Sequence, residues 1–458
     1  MDDQQLVSGE IIPDSYFYRL QAISLDGTAW GNPKVAIGLE FDATGTLVTF
    51  EPDFLSTLRP ITEASQTVAN FVFLETLPFP LTHGTNTIEK GLDGEQSRWK
   101  RDQGEARTAR MHLKYREWKE KTTHSQVTAI FFDTAPLGFE HRLLEAIRFS
   151  TAVPASWVML EYVQDGLVHF ELSPYRPALN HLVDEPLQAR ENALDFFRLF
   201  DSYYVHSSEN AKGEEFSQLS VAIGALFNLK GLAIGEISLV IGVTIEALLK
   251  EGFSELEEID PEIIVEVEVV EDVINSLTTI REKSRGRMKG SMSGIKSIRA
   301  RDKLEKLQKL GLVNQMELQH WKKLRNTSAH GSLRIDPQKW QQHLQRIFAV
   351  TTLAYKLTFL RIGYFGPYTD YGSPGWPTAW FPTKDDAQKL SRVTEELAQL
   401  PVADVKGKLY AWKAVETALR NTFPEGDVGA LRASASLVLL AAMRKVGTLR
   451  LAELGSGN

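Results

Sequence analysis

Arg325, Asn326 and His330 fall within six residues of one another in the stretch Trp321 to Gly331, WKKLRNTSAHG, and their types suit work on a phosphodiester. Arginine stays charged at physiological pH and presents a planar fork of donors that fits phosphate oxygens. A histidine in a last helical turn feels the negative end of the macrodipole, which favours its charged form by about 0.3 to 1 kcal/mol when exposed. It is then poised to give or take a proton near neutral pH. Asparagine can orient either neighbour or a bound group. Together these are the parts needed to cleave RNA without a metal. A ribose 2′-hydroxyl attacks its own phosphate, the histidine handles the proton and the arginine holds the developing charge. The same three residues also read as a capping histidine beside a surface arginine, and spacing alone does not separate the two.

Such a patch needs a helix to carry it. Leu318, Trp321 and Leu324 recur every three residues, an apolar stripe that runs straight into Arg325 and Asn326, and Gly331 is the stop signal. On that helix Asn326 and His330 are i and i+4 and share a face, with Arg325 about 100° away from Asn326 by the helical period. Lys323 adds a cation two residues before Arg325.

An arginine, a polar residue and a histidine a few positions on resemble the signature of the HEPN superfamily, and Arg325, Asn326 and His330 match it without departure. The flanking LEKLQKLGLVNQMELQHWKKLRNTSAHG and LRIGYFGPYTDYG look like the ApeA-like branch, over roughly residues 190 to 375. The resemblance implies an all-α nuclease domain and metal-independent endoribonuclease activity on RNA, with tRNA among the targets. His330 would be the general acid/base, Arg325 the phosphate clamp and Asn326 the orienter, with no cofactor. It also implies a homodimer in which two motifs line one cleft, since the chain holds a single motif. An antiphage role by abortive infection follows, with a phage-derived trigger acting at the N-terminal domain. A non-catalytic HEPN module that binds RNA or protein stays open, because members of the superfamily have lost cleavage.

The chain has 458 residues, enough for two or three domains, with 43% hydrophobic and 24% charged side chains, as in an ordinary globular protein. It has no cysteine, which excludes disulfides, Cys-ligated zinc and thiol chemistry. The start, MDDQQLVSGE, is acidic and lacks an apolar core, so a secretory signal is not expected and the cytoplasm is the default. The most apolar stretch, Leu219 to Leu249, is interrupted by Asn228, Lys230, Glu236 and Glu246, which points to buried helix and not to a membrane span. A net charge of −8 argues against a generic nucleic-acid binder. Its distribution matters more: residues 251 to 272 carry ten acidic side chains and no basic one, whereas 281 to 310 carry eleven basic and three acidic.

In outline the expected fold is α+β: a β-rich sensor or regulatory domain over 1–180, a helical nuclease domain over 181–380 and a helical extension over 381–458. Short runs rich in β-branched and aromatic residues give strands at 34–41, 46–50, 71–77, 111–118, 127–133 and 157–163, and Asp165-Gly166 predicts a hairpin between 158–163 and 167–172. The charged stretch Gly91 to Arg110 predicts a solvated loop, and Phe139 to Phe149 a helix. His83, His112, His124, His141 and His169 lack metal-ligand spacing. Pro174 to Pro186 reads as the joint between domains.

Beyond the joint, helices are expected from Glu191, over 216–230 and over 237–250. Glu246 is a misfit in the last of these, since a glutamate among apolar residues needs a partner. A motif arginine is one candidate for it. Residues 281–296, REKSRGRMKGSMSGIK, read as a loop in which Arg285, Arg287 and Lys289 either hold an RNA backbone by charge or balance the acidic block. A basic helix follows over 298–310, and Asp336-Pro337 predicts another helix start. Tyr364 to Trp380 reads as an aromatic packing loop, with base stacking as the alternative, and 384–454 as helical again. No phosphate-binding glycine loop, dinucleotide fingerprint or serine-hydrolase elbow is present.

Overall fold

Alternation of apolar and polar residues builds the N-terminal half, and helical periodicity builds the rest. In the computed structural model the described residues are 17–383 apart from 43–44, 51, 62–65, 92–93, 120–122, 175–183, 189–192, 230–231, 258, 260, 294, 297 and 330–336. His330, Asp336 and the extension from 384 onward therefore lie outside them. The chain divides into two units, residues 1–180 with 189–197 and residues 181–188 with 198–458.

The first unit holds a ten-stranded antiparallel sheet. Its strands in chain order are β1 (Tyr18–Ile23), β2 (Ala29–Val35), β5 (Leu55–Pro60), β6 (Val68–Phe73), β7 (His83–Gly91), β8 (Gly94–Arg107), β9 (Met111–Lys119), β10 (Thr123–Phe131), β11 (Met159–Gln164) and β12 (Leu167–Leu172), and β3 (Ile37–Asp42) and β4 (Gly45–Phe50) form a separate hairpin. Across the sheet the order is β1-β2-β5-β12-β11-β6-β10-β9-β8-β7. One face is the core: Ala69, Phe71 and Phe73 on β6, Val127, Ala129 and Phe131 on β10, and Met111, Leu113 and Tyr115 on β9 are all buried. Helix α1 (Phe139–Thr151) belongs to that core through Phe139, whose ring meets Phe131 and Tyr162 edge-on at 5.1 and 5.2 Å.

The β11–β12 hairpin turns at Asp165 and Gly166, both at positive φ, as a two-residue loop requires. The expected loop over Gly91 to Arg110 is instead mostly strand. β8 pairs with β7 from Gly94 to Gln103 and with β9 from Gln103 to Arg107, and these ladders outweigh a polar composition. At Gly104 in that strand a Cβ would lie 2.1 Å from the carbonyl oxygen of Pro80, so only glycine lets the two backbones approach so closely.

Among its described residues the second unit is helical apart from one short hairpin. Helix α2 (Ala193–Asn210) runs across the division, and α3 (Gln218–Gly224), α4 (Ile234–Gly252), α5 (Pro261–Ser276), α6 (Glu282–Ser293), α7 (Ala300–Lys309), α8 (Gln315–Ala329) and α9 (Trp340–Ile362) follow. Helices α4, α8 and α9 pack against one another, and no described helix is long and apolar enough to cross a membrane. Residues 281–296, expected as a loop, contain α6, which packs on α5. Strands β13 (Gly366–Thr369) and β14 (Thr378–Phe381) pair as a short antiparallel hairpin after α9, with Tyr364, Tyr368 and Phe381 buried around Phe359. Those rings are used in packing.

Candidate functional site

Helix α8 is set in place from its first turn. Asn314 caps it: the Glu317 N–H donates to Asn314 Oδ1 at 2.7 Å, and the Asn314 N–H donates to Glu317 Oε2 at 2.9 Å. Glu317 also accepts at 2.7 Å from Lys356 of α9, and both side chains are buried. Along the next two turns Leu318, Trp321 and Leu324 are buried, as their spacing predicts. With that stripe fixed, the following residues turn away from the core, and Arg325 and Asn326 are exposed.

Arg325 is not solitary. Its Nε donates to Glu246 Oε1 on α4, and its guanidinium carbon lies 5.9 Å from the centroid of the buried Trp321 ring one turn earlier. The side chains of Arg325 and Glu246 remain 52% and 39% exposed. The carboxylate takes only the Nε edge of the fork. Among the described residues nothing else bonds this arginine, so its Nη donors are uncommitted there. Glu246 reaches it because α4 is two-faced: Ile237, Ile241, Ile245, Leu248 and Leu249 are buried, while Leu239 and Val243 share an exposed stripe with Glu246.

Lys323 is exposed on α8, and its neighbour Lys322 is bonded at 2.8 Å to Glu305 of α7. Glu305 also accepts from Arg301 at 2.8 Å, and these two cations, Lys322 first, pull its pKa below the usual carboxylate value. Arg285, Arg287 and Lys289 stand on α6, which packs on α5; Arg285 donates to the Asn275 carbonyl at 3.4 Å. The structure thus brings together Arg325, Glu246, Trp321 and, next in sequence, Asn326. The ring of Trp321 was legible only as part of an apolar stripe, although tryptophan four residues before an exposed arginine is the spacing that stacks the two. Among the described residues no group of three or more His, Asp or Glu is placed to hold a metal ion.

No protein-family model, no curated protein and no solved structure matches this chain.

Proposed function

We propose that the chain is a HEPN-type endoribonuclease that cleaves RNA, tRNA among its substrates, by attack of a ribose 2′-hydroxyl on the adjacent phosphate without a metal ion. Arg325 clamps the phosphate, Asn326 orients it and His330 carries the proton. The observation that supports this most is the state of Arg325. It is a half-exposed arginine near the end of α8, steadied by one carboxylate and one ring, with Nη donors that no described residue engages and that a phosphate could take. Lys323 and the α6 cations Arg285, Arg287 and Lys289 add non-specific attraction for an RNA backbone. The pairing of two copies fits the exposed Leu239 and Val243 beside Glu246, apolar residues that a second subunit would cover. In this reading the sheet unit senses a phage-derived trigger, and cleavage in the cytoplasm halts the infected cell.

The test is incubation of the purified protein with RNA in EDTA. Cleavage is expected to survive chelation and to fall by a factor on the order of 10² to 10³ in Arg325→Ala, the cost of removing one charge-stabilising donor. It should fall likewise in His330→Ala, with both variants folded as judged by circular dichroism. Cleavage that persists in His330→Ala sinks the assignment. RNA binding without cleavage in the triggered wild type would establish the non-catalytic module instead.

A further inference from the structure

Transfer within RNA needs two proton movements, one off the attacking O2′ and one onto the departing O5′. In an in-line displacement those oxygens lie on opposite sides of phosphorus, so a single side chain does not reach both. We propose that Glu246 is the general base of this site, the group that takes the 2′-hydroxyl proton, an inference that rests on the nuclease reading above.

Three observations carry it. First, Glu246 is the carboxylate bonded to Arg325, and it engages Nε. A phosphate seated on the Nη edge of the same guanidinium then has a proton acceptor at its side, within the width of one planar group. Second, Glu246 has an oxygen to spare. Oε1 holds the arginine, whereas Oε2 forms no bond among the described residues, and the side chain is accessible enough for substrate to reach. Third, stability does not require it. The α4 face that carries Glu246 also exposes Leu239 and Val243, so the carboxylate compensates no buried charge; Glu317, whose partner Lys356 is buried with it, shows what that case looks like.

The step balances without any further reactant. The O2′ proton passes to Glu246 as the O2′–P bond forms, the P–O5′ bond breaks, and O5′ leaves with a proton from His330. The products are a 2′,3′-cyclic phosphate and a 5′-hydroxyl. Before the next turnover Glu246 gives its proton to water and His330 takes one back, so the enzyme is unchanged.

The role is tested with the full-length protein on two substrates, RNA and a ribonucleoside 3′-(4-nitrophenyl phosphate), whose leaving group departs without a proton. Glu246→Gln keeps an oxygen that accepts from Arg325 Nε, so binding should stay near wild type. Turnover should drop by about 10² to 10⁴ on both substrates. His330→Ala should be impaired on RNA and largely restored on the aryl ester. Glu246→Asp should recover part of the rate, and the acidic limb of the kcat/KM profile on the aryl ester should be missing in Glu246→Gln. Wild-type or faster turnover in Glu246→Gln, with Arg325→Ala inactive, would overturn the base role and leave the nuclease reading standing. Equal turnover by wild type and Arg325→Ala would remove both.

Discussion

Two of the ion pairs on helix α8 lie eight residues apart, Glu317–Lys356 near its start and Arg325–Glu246 near its end, and burial is what separates them. The side chains of the first pair are 4% and 9% exposed, those of the second 39% or more. Burial pushes the Glu317 carboxyl up, and the Lys356 charge with the hydrogen bonds from Lys356 and the Asn314 N–H offsets only part of that rise. For Lys356 burial acts downward, and the Glu317 carboxylate outweighs it, so the ammonium is held above its ordinary range. Lys356 also lies 5.2 Å from the Tyr368 ring, whose hydroxyl burial pushes up to about 12. Such a pair cannot exchange partners without stranding a charge in the core. The exposed pair can, because water replaces whatever either side chain gives up. The same chemistry serves architecture at one end of the helix and is available to a substrate at the other.

The contrast breaks most visibly at Lys356. Lys356→Met leaves Glu317 as an uncompensated buried carboxylate, and the expected loss is about 3 to 5 kcal/mol of unfolding free energy by urea titration. Replacing both partners, Glu317→Leu with Lys356→Met, should return much of that loss, since well-packed apolar substitutes remove the desolvation cost of both charges. A double variant no more stable than Lys356→Met alone would show that the pair is not what makes the site costly to disturb. Asn314→Ala sharpens the same point at about 1 kcal/mol, the usual cost of a lost N-cap. Only the side-chain acceptor for the Glu317 N–H disappears there; the Asn314 backbone N–H still donates to Glu317.

These two pairs also mark how far sequence reaches. The alternation in β9 and β10, the Asp165-Gly166 hairpin and the helical spacing from Phe139 are local patterns, and each appears in the fold where its period placed it, whereas β6 runs over Val68–Phe73, three residues earlier than the expected start at 71 and ending before 77. Charge misled twice, at β8 and at α6. In both the backbone finds partners that composition does not announce, ladders on either side of β8 and the neighbouring helix α5 for α6. At the site, Arg325 and Asn326 were legible because one helix carries both, and Glu246 because an acid in an apolar helix needs a partner. Glu317 and Lys356 gave no such sign. They are 39 residues apart, on helices whose mutual packing decides that they meet.

A smaller effect separates compensated from uncompensated burial. His343 on α9 is buried, with Nε2 at 2.7 Å from Ser238 Oγ, and it has no carboxylate bonded to it among the described residues. Burial first and Arg346 second hold its pKa below the ordinary histidine value of 6.5, so the folded chain keeps the ring neutral. Below about pH 6.5 the unfolded chain therefore binds more protons than the folded one. Stability is undiminished above that value and falls as pH drops from 6.5 towards the folded-state pKa. Thermal midpoints between pH 7.5 and 5 should decline, and less steeply in His343→Gln; His206 and His320 shift the same way, so the slope should not vanish. An unchanged slope in His343→Gln would mean that this ring takes up its proton alike in both states.

The smallest expected change is the most informative about the exposed pair. Arg325→Ala and Glu246→Ala should each alter unfolding free energy by no more than about 1 kcal/mol, because an ion pair open to water gains little over its hydrated halves. What they do alter should shrink further as salt rises from 0.05 to 0.5 M, roughly as the screening length shortens. The comparison turns on the difference in cost between the two ends of α8. If Arg325→Ala cost as much as Lys356→Met, the arginine would be holding α8 to α4, and its exposure would be incidental. If it costs little while RNA cleavage collapses, the same side chain is dispensable to the fold and indispensable to the chemistry, and a structural role cannot account for both results.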